Sequence, residues 1–381
     1  MKKVAVVTGT RSEYGILKPV LSAISDHPDL TLHLWVTGMH LLKRFGYTID
    51  EIGRDGWDVE AVVPMYNDED KSHAPALARA ITGFDETIAK YRPDWIVVLG
   101  DRLEPFAVAQ AAALSRIAVA HIHGGDRTNG ANIDEQIRHA LTRFSNLHFA
   151  ASKQSADRLL KMGEEPWRVE CVGAPALDTI LNEKLYSRAA LSGILSFDVT
   201  VPYILCAQHS VTSQSDDAYR QMQLTLETVA EFNLPTIVVY PNNDSGSEGI
   251  IQAIVPYQDH PLFSVQTSLP QRVYLSLLKH ASVLVGNSSS GLLEAPSFGL
   301  PMVHIGMRNK GREHADNIQF VDHRKGEISR AISIALYNAE YRQYVRGLES
   351  PYGDGQAGVR IAKRLAETRI NEVLLQKQLS F

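Results

Sequence analysis

Short apolar runs of strand length alternate with longer stretches whose apolar residues recur at helical spacing, and this beat continues along most of the chain. The alternation predicts parallel sheets with crossover helices. In the first half, strands are expected at Val4–Val7, Leu30–Val36, Trp95–Leu99, Ile117–Ile122, Leu147–Ala150 and Arg168–Val172. Amphipathic helices at Ala74–Tyr91, Glu104–Ser115 and Asp134–Phe144 lie between them. The rhythm breaks near Gly173-Ala174-Pro175. After a helical connector a second series begins with Tyr203–Ala207, Thr236–Tyr240, Phe263–Gln266, Val283–Val285 and Met302–Ile305. The stretch Gly355–Gln378 returns to helical spacing and reads as a closing helix. The fold class is α/β, with two Rossmann-like doubly wound parallel-sheet domains, and a length of 381 residues suits two cores better than one.

The bulk numbers narrow the function. With 44% hydrophobic and 21% charged residues the composition is that of an ordinary folded protein, and a net charge of -5 offers no broad basic surface for nucleic acid. Any phosphate must be gripped by a few local cations. The two cysteines, Cys171 and Cys206, sit in apolar strand-like runs, so both are expected to be buried, reduced thiols. The N-terminus, Met1-Lys2-Lys3 before Val4–Val7, is too short an apolar stretch for a signal peptide, and no run approaches the roughly 18 apolar residues of a membrane span. The expected setting is the cytoplasm, with no membrane partner.

In open parallel sheets ligands bind beyond the carboxyl ends of the strands. The unusual polar clusters fall at those ends: Thr8 to Gly15, Gly100-Asp101-Arg102 and His121 to Asp126 in the first half, then Gln208-His209, Pro241 to Asp244, Gly286 to Gly291 and Gly306 to Arg312. One such cluster is ordinary turn or cap chemistry. Their recurrence at successive strand ends in both halves points to a cleft between facing lobes.

The loop Gly9 to Gly15 has neither P-loop spacing nor a Gly-x-Gly-x-x-Gly fingerprint, which disfavours nicotinamide and P-loop chemistry. What remains is a backbone cradle with Arg11 as a clamp for diphosphate or substrate. The stronger phosphate signal is Gly286-Asn287-Ser288-Ser289-Ser290-Gly291, which leads into an expected helix Leu292–Phe298 whose positive end suits an anion. Glu294, one turn in, suits ribose hydroxyls instead. Arg308, Lys310 and Arg312 are cations for a diphosphate. His121 and His123 alternate on one expected strand face with Asp126 nearby, but no third His or Cys stands at ligand spacing, so neither a metal nor another cofactor is expected.

As a set, Gly9-Thr10-Arg11-Ser12-Glu13-Tyr14-Gly15, Gly100-Asp101-Arg102, the His121 to Asp126 run, Ile133-Asp134-Glu135-Gln136-Ile137-Arg138-His139 and Gly286 to Gly291 resemble the hydrolysing UDP-N-acetylglucosamine 2-epimerases, in order and spacing over nearly the whole chain. The resemblance implies a GT-B-like fold, its two domains facing a central cleft and its last helix returning to the first domain. It divides the chain into 1–174 with 360–381, carrying the catalytic carboxylates, and 175–359, binding the nucleotide. It implies loss of the C2 proton, anti elimination of UDP to 2-acetamidoglucal and addition of water to give N-acetylmannosamine, for sialic or related nonulosonic acid biosynthesis. By matching positions, Asp101, His123, Asp126, Asp134 and His209 are the candidates for proton transfer and leaving-group assistance. Arg11, Asn242, Asn243, Ser289, Ser290 and Glu294 match nucleotide-binding positions, and with Arg102, Gly291, Arg308, Lys310 and Arg312 they are the candidates for holding a UDP-N-acetylhexosamine. A homodimer or homotetramer is expected.

The non-hydrolysing relatives typically read His-Val-Glu-Ala-Gly where this chain has His121-Ile122-His123-Gly124-Gly125, so the hydrolysing branch matches better. Members of the sialic acid pathway carry Glu at the place of His123, and often Glu at that of Asp126. This departure leaves open a UDP- or GDP-linked 2,4-diacetamido-2,4,6-trideoxy hexose as substrate. From other classes, a retaining glycosyltransferase would use the same fold with an acceptor, and a silent sugar-nucleotide sensor would use it without chemistry. The set Asp101, Asp126 and Asp134 speaks against both.

Overall fold

The computed structural model describes residues 1–43, 47–67, 72–127, 133–241, 246–267 and 269–380. They form two compact units: Met1–Leu181 with Tyr352–Phe381, and Asn182–Pro351.

The first unit runs β1 (Lys2–Thr8), α1 (Arg11–Ser25), β2 (Leu30–Thr37), α2 (Ile49–Arg54), β3 (Val59–Val63), α3 (His73–Tyr91), β4 (Trp95–Leu99), α4 (Leu103–Leu114), β5 (Ala118–Ile122), α5 (Ile133–Phe144), β6 (Leu147–Ala150), α6 (Lys153–Lys161), β7 (Val169–Cys171) and α7 (Pro175–Asn182). Its sheet is parallel, in the order β3-β2-β1-β4-β5-β6-β7. Strand order reverses between β1 and β4, so the loops leaving these two strands flank the switch point where such sheets bind ligands. Val4, Val6, Trp95 and Val97 bury one face and Ala5, Val7, Ile96 and Val98 the other, which is why these strands read as continuous apolar runs.

The second unit continues with α8 (Arg188–Leu195), β8 (Ile204–Ala207), α9 (Ala218–Ala230), β9 (Thr236–Val239), α10 (Ser247–Ile254), β10 (Phe263–Gln266), α11 (Gln271–His280), β11 (Val283–Gly286), α12 (Ser290–Leu293), β12 (Met302–Ile305), β13 (Ile318–Val321), α13 (Lys325–Tyr337) and α14 (Ala339–Arg346). Its parallel sheet is ordered β10-β9-β8-β11-β12-β13, with the switch between β8 and β11. The chain then returns to the first unit as α15 (Ala357–Glu367) and α16 (Glu372–Leu375), where Ala357, Ile361 and Leu365 join the core beneath α1.

The structure departs from the sequence expectations in identifiable ways. Strands β3 and β13 are edge strands with mostly half-exposed residues, so neither shows the apolar run that marks a central strand. Cys171 also lies on an edge strand and is exposed, whereas Cys206 on β8 is buried and its thiol is pushed up to about 12 by that burial. The expected closing helix is two helices, since the chain turns extended at Thr368 and Asn371 caps a new helix by accepting from the Leu374 N–H. Helix α7 and the turn from Tyr352 belong to the first unit, not the second, because long-range hydrogen bonds tie them there. The Ala174 N–H donates to the Tyr352 carbonyl at 2.7 Å. The two Asp178 oxygens accept the N–H groups of Ala357 and Gly358 at 2.9 and 2.6 Å, capping α15 from across the fold. Among the described residues no helix is long and apolar enough to cross a membrane.

Replacing Asp178 by Ala leaves two buried donors at the start of α15 without acceptors and is expected to cost about 2–4 kcal/mol in urea unfolding. Asp354→Ala, whose main loss is the exposed Arg360 pair, is expected to cost under about 1 kcal/mol.

Candidate active site

At the switch point of the first sheet lies an open pocket of about 260 Å³. Leu99 and Ile16 give it apolar wall, while Ser12, Glu13, Asp101, Arg102, His123, Asp126 and Arg138 supply polar groups. Four chain segments deliver these groups: the start of α1, the end of β4, the turn after β5, and α5.

Arg138 organises the polar side. Four residues after Asp134, it lies on the same face of α5. Its buried guanidinium pairs with the carboxylates of Asp101 and Glu135 and donates to the Asp126 carbonyl at 2.9 Å. Burial raises the Asp101 carboxyl above the ordinary range and Asp134 adds to this, while the charge of Arg138 opposes it. Asp134 itself is half-buried in the first turn of α5.

The turn after β5 is set by its glycines and by a left-handed residue. Strand β5 ends at Ile122, and His123 leaves it with φ of 66°. His121 and His123 therefore do not form the expected pair on one strand face. His121 is buried against the Gly100 carbonyl at 2.7 Å and pushed down to about 3 by desolvation. His123 turns its Nδ1 to Asp126 at 2.7 Å. Gly125, with φ of 77°, leaves no room for a side chain against the Ser155 carbonyl. Ser155 in turn donates to the second Asp126 oxygen at 2.7 Å.

The loop after β1 is more internal than its sequence suggests. Thr10 caps α1, and Glu13 reaches back to the Gly9 N–H at 3.0 Å, close to a capping box. Burial and the nearby Glu104 push the Glu13 carboxyl up to about 7. Arg102 stands 3.3 Å from the fully buried Glu104 carboxylate as well as lining the pocket, so it balances buried acid and is not committed to ligand alone. Arg11 is exposed and pairs with Glu51 on α2 at 3.0 Å.

In the second unit the residues around the β8–β11 switch are locked together. The Asn287 amide donates to the His209 carbonyl at 2.8 Å and accepts the His209 N–H at 2.7 Å. Gly286, with φ of 128°, passes so close to the Ala207 carbonyl that a side chain is excluded. The expected helix Leu292–Phe298 is instead one α turn, α12, followed by a 3-10 turn at Ala295–Phe298. Pro296 has no N–H to continue the ladder. The short helix offers little dipole. The N–H groups of Asn287 and Ser288 go to the Ala207 carbonyl, and that of Gly291 to the Ser288 carbonyl.

What this loop presents is side-chain chemistry. Ser289 is half-buried, and Ser290 is buried and accepts from the Tyr274 hydroxyl at 3.0 Å. Gly291 packs against the Met302 side chain. Glu294 is half-buried, one carboxylate oxygen lacks a partner among the described residues, and burial pushes its carboxyl up to about 7 against the charge of Arg312. Arg308 and Asn309 both donate to the Asn287 carbonyl, at 3.3 and 2.8 Å, and Arg312 holds Asn309 at 3.1 Å. Lys310 is exposed. Asn242 and Asn243 lie outside the described residues.

Sequence reasoning gave no role to Arg138, Glu135, Glu13 or Ser155. The four-residue step from Asp134 to Arg138 was a usable signal for one of them. The contact from Ser155 to Asp126 spans two elements and left no trace in spacing.

Tandem doubly wound parallel units, each with polar side chains gathered at its switch point, define a GT-B-like α/β protein. The same fold is found in the UDP-GlcNAc 2-epimerase from Neisseria meningitidis bound to UDP-GlcNAc, with a TM-score of 0.80 over 96% of this chain and 100% of that one at 19% identity. The chain belongs to the UDP-N-acetylglucosamine 2-epimerase family of nucleotide-sugar enzymes, whose profile matches residues 22–366. It is 34% identical, over 99% of both chains, to the hydrolysing UDP-N,N'-diacetylbacillosamine 2-epimerase of Legionella pneumophila. It is 33% identical, over 88% of both, to a UDP-N-acetylglucosamine 2-epimerase of Neisseria meningitidis. The family resemblance read from the motifs is borne out.

Burial of Glu294 gives a pH signature. A folded value near 7, above the ordinary carboxylate range, means that the folded chain keeps a proton the unfolded chain has lost, so this residue's contribution to stability falls as pH rises from about 4.5 to 7. Glu294→Gln is expected to raise the urea midpoint at about pH 8 and to change it little at about pH 5.

Proposed function

We propose that the chain is a hydrolysing 2-epimerase that converts UDP-N-acetylglucosamine and water to UDP and N-acetylmannosamine. A base in the first unit's pocket removes the C2 proton. The electron pair left behind forms the C1–C2 double bond as the C1–O bond breaks, and UDP departs on the opposite side with that bond's electrons, leaving 2-acetamidoglucal. Water then supplies hydroxyl to C1, and a proton adds to C2 from the other face. The sequence is redox-neutral and calls on no cofactor.

One observation carries this reading: the Asp101–Arg138 pair and the His123–Asp126 pair line one small pocket. At about 260 Å³ it is smaller than the roughly 300–1,000 Å³ of pockets for drug-sized ligands, which suits a single sugar ring. A carboxylate raised by burial is a stronger base than one in water, which is what abstraction of a carbon-bound proton requires. In the second unit, Glu294 offers an acceptor for ribose hydroxyls, and Ser289, Ser290, Arg308, Lys310 and Arg312 offer donors for the diphosphate, with His209 assisting the leaving group. Arg11, released from Glu51, adds a further cation, and Asn242 and Asn243 complete the nucleotide set.

A second reading is favoured by the Legionella relative, whose name gives UDP-N,N'-diacetylbacillosamine as its substrate. The same reaction on a UDP-linked 2,4-diacetamido-2,4,6-trideoxy hexose uses the same groups at C1 and C2.

Incubation with each sugar nucleotide, with no acceptor present, is expected to give free UDP and the matching 2-epimeric free sugar. UDP release that depends on an added acceptor would identify a glycosyltransferase instead. Asp101→Asn is expected to keep UDP affinity and lower turnover by ~100-fold or more. Unchanged turnover removes Asp101 from the chemistry.

A further inference from the structure

His123 and Asp126 are in contact, and their surroundings make them unequal partners. Both Asp126 carboxylate oxygens are occupied: one takes His123 Nδ1 at 2.7 Å and the other the Ser155 hydroxyl at 2.7 Å. The rest of the residue is held as firmly. Its carbonyl accepts from Arg138 at 2.9 Å, and the neighbouring Gly125 carbonyl accepts from Arg158 at 2.5 Å. Ser155 is itself seated at the start of α6, hydrogen-bonded to the capping Ser152 at 3.1 Å. Burial pushes the Asp126 carboxyl up, but His123, Ser155 and Arg138 outweigh it and hold the group below the ordinary range, so it is a carboxylate. A carboxylate only accepts, so the proton on the His123 ring sits on Nδ1.

The other ring nitrogen is placed differently. His123 Nε2 is buried and has no partner among the described residues, and His123 lines the same pocket as Asp101. The left-handed backbone at His123, a conformation uncommon for a non-glycine residue, brings the imidazole back to Asp126. The titratable and charged groups packed around the dyad are Asp101, Asp134, Glu135, Arg138, Arg158 and the neutral His121.

We propose that His123 Nε2 is the proton donor to C2 in the second half of the reaction and that Asp126 is a positioning residue that fixes the ring and stabilises its charged form. This rests on the hydrolysing-epimerase reading and divides its labour. Asp101 takes the C2 proton in the elimination. In the hydration, Nε2, protonated from solvent, gives up that proton as the new C2–H bond forms, water attaches to C1 through its oxygen, and the surplus proton of that water returns to solvent. The proton removed by Asp101 leaves to solvent or with the UDP phosphate. The Asp–His arrangement is that of any general acid whose imidazole is oriented and stabilised by a buried carboxylate.

The test combines product analysis with a pH profile. His123→Gln cannot donate a proton, so single-turnover reactions are expected to release UDP and accumulate 2-acetamidoglucal at the expense of the 2-epimeric sugar. In Asp126→Asn the alkaline limb of kcat is expected to move to lower pH by about one unit or more, with kcat down ~100-fold or more and KM within about threefold. Ser155→Ala, which removes one anchor of Asp126, is expected to lower kcat about fivefold and to shift the same limb in the same direction. Nitrogen NMR of histidine-labelled protein, which needs no substrate, is expected to find the His123 proton on Nδ1 in the wild type and to find that preference lost in Asp126→Asn. No glucal from His123→Gln together with an unmoved alkaline limb in both other variants overturns the proposal, as does a wild-type Nε2–H tautomer. A wild-type chain that releases no UDP from any of the sugar nucleotides overturns the epimerase reading itself.

Discussion

A single buried guanidinium, that of Arg138, holds the candidate active site together. It comes from α5, but its partners are the Asp101 carboxylate at the end of β4, the Asp126 carbonyl in the turn after β5, and Glu135 on its own helix. A buried arginine without acceptors would be costly, so the three segments are tied to one another by the need to satisfy it. The same contacts set the chemistry. Asp101 feels burial and Asp134 in one direction and Arg138 in the other, and the balance leaves a carboxyl above its ordinary range beside a fixed positive charge. Removal of either partner would therefore change both the architecture of the pocket and the basicity of its carboxylates.

The second unit solves the corresponding problem largely with neutral amides. Its switch point is held by the paired amide bonds between Asn287 and the His209 backbone, and the basic loop is hung from the Asn287 carbonyl by Arg308 and Asn309. Because several backbone N–H groups there are spent on the fold, we propose that a ligand is met by side chains, those of Ser289, Glu294, Arg308 and Arg312. A neutral scaffold carrying a few cations suits the job of holding an anion and letting it go. A charged scaffold with a raised carboxyl suits the job of moving protons.

Much of this was legible in the sequence, and the exceptions have physical causes. Central strands such as Val4–Val7 and Trp95–Leu99 announced themselves because both of their faces are buried. The edge strands β3 and β13, and the exposed Cys171 on β7, did not, because an edge strand needs only part of its surface covered. The polar clusters at strand ends marked both switch points. What they did not convey was which side chains had already found partners: Arg102 with Glu104, Arg11 with Glu51, and His123 with Asp126 rather than His121. Such pairings depend on where the chain turns after a strand, and a left-handed histidine leaves no pattern in spacing. Arg138 was visible within a motif, but its role appears only when the end of β4 and the turn after β5 converge on it.

The proposed chemistry requires that the C2–H bond of the sugar is broken and remade with a proton from solvent. The most direct measurement is to run the conversion in heavy water and read the free sugar by proton NMR. One deuteron is expected at C2 of each 2-epimeric product molecule and none elsewhere on the ring carbons. A product that keeps its original hydrogen at C2 would show that the bond was never opened, and elimination through a glucal would be ruled out.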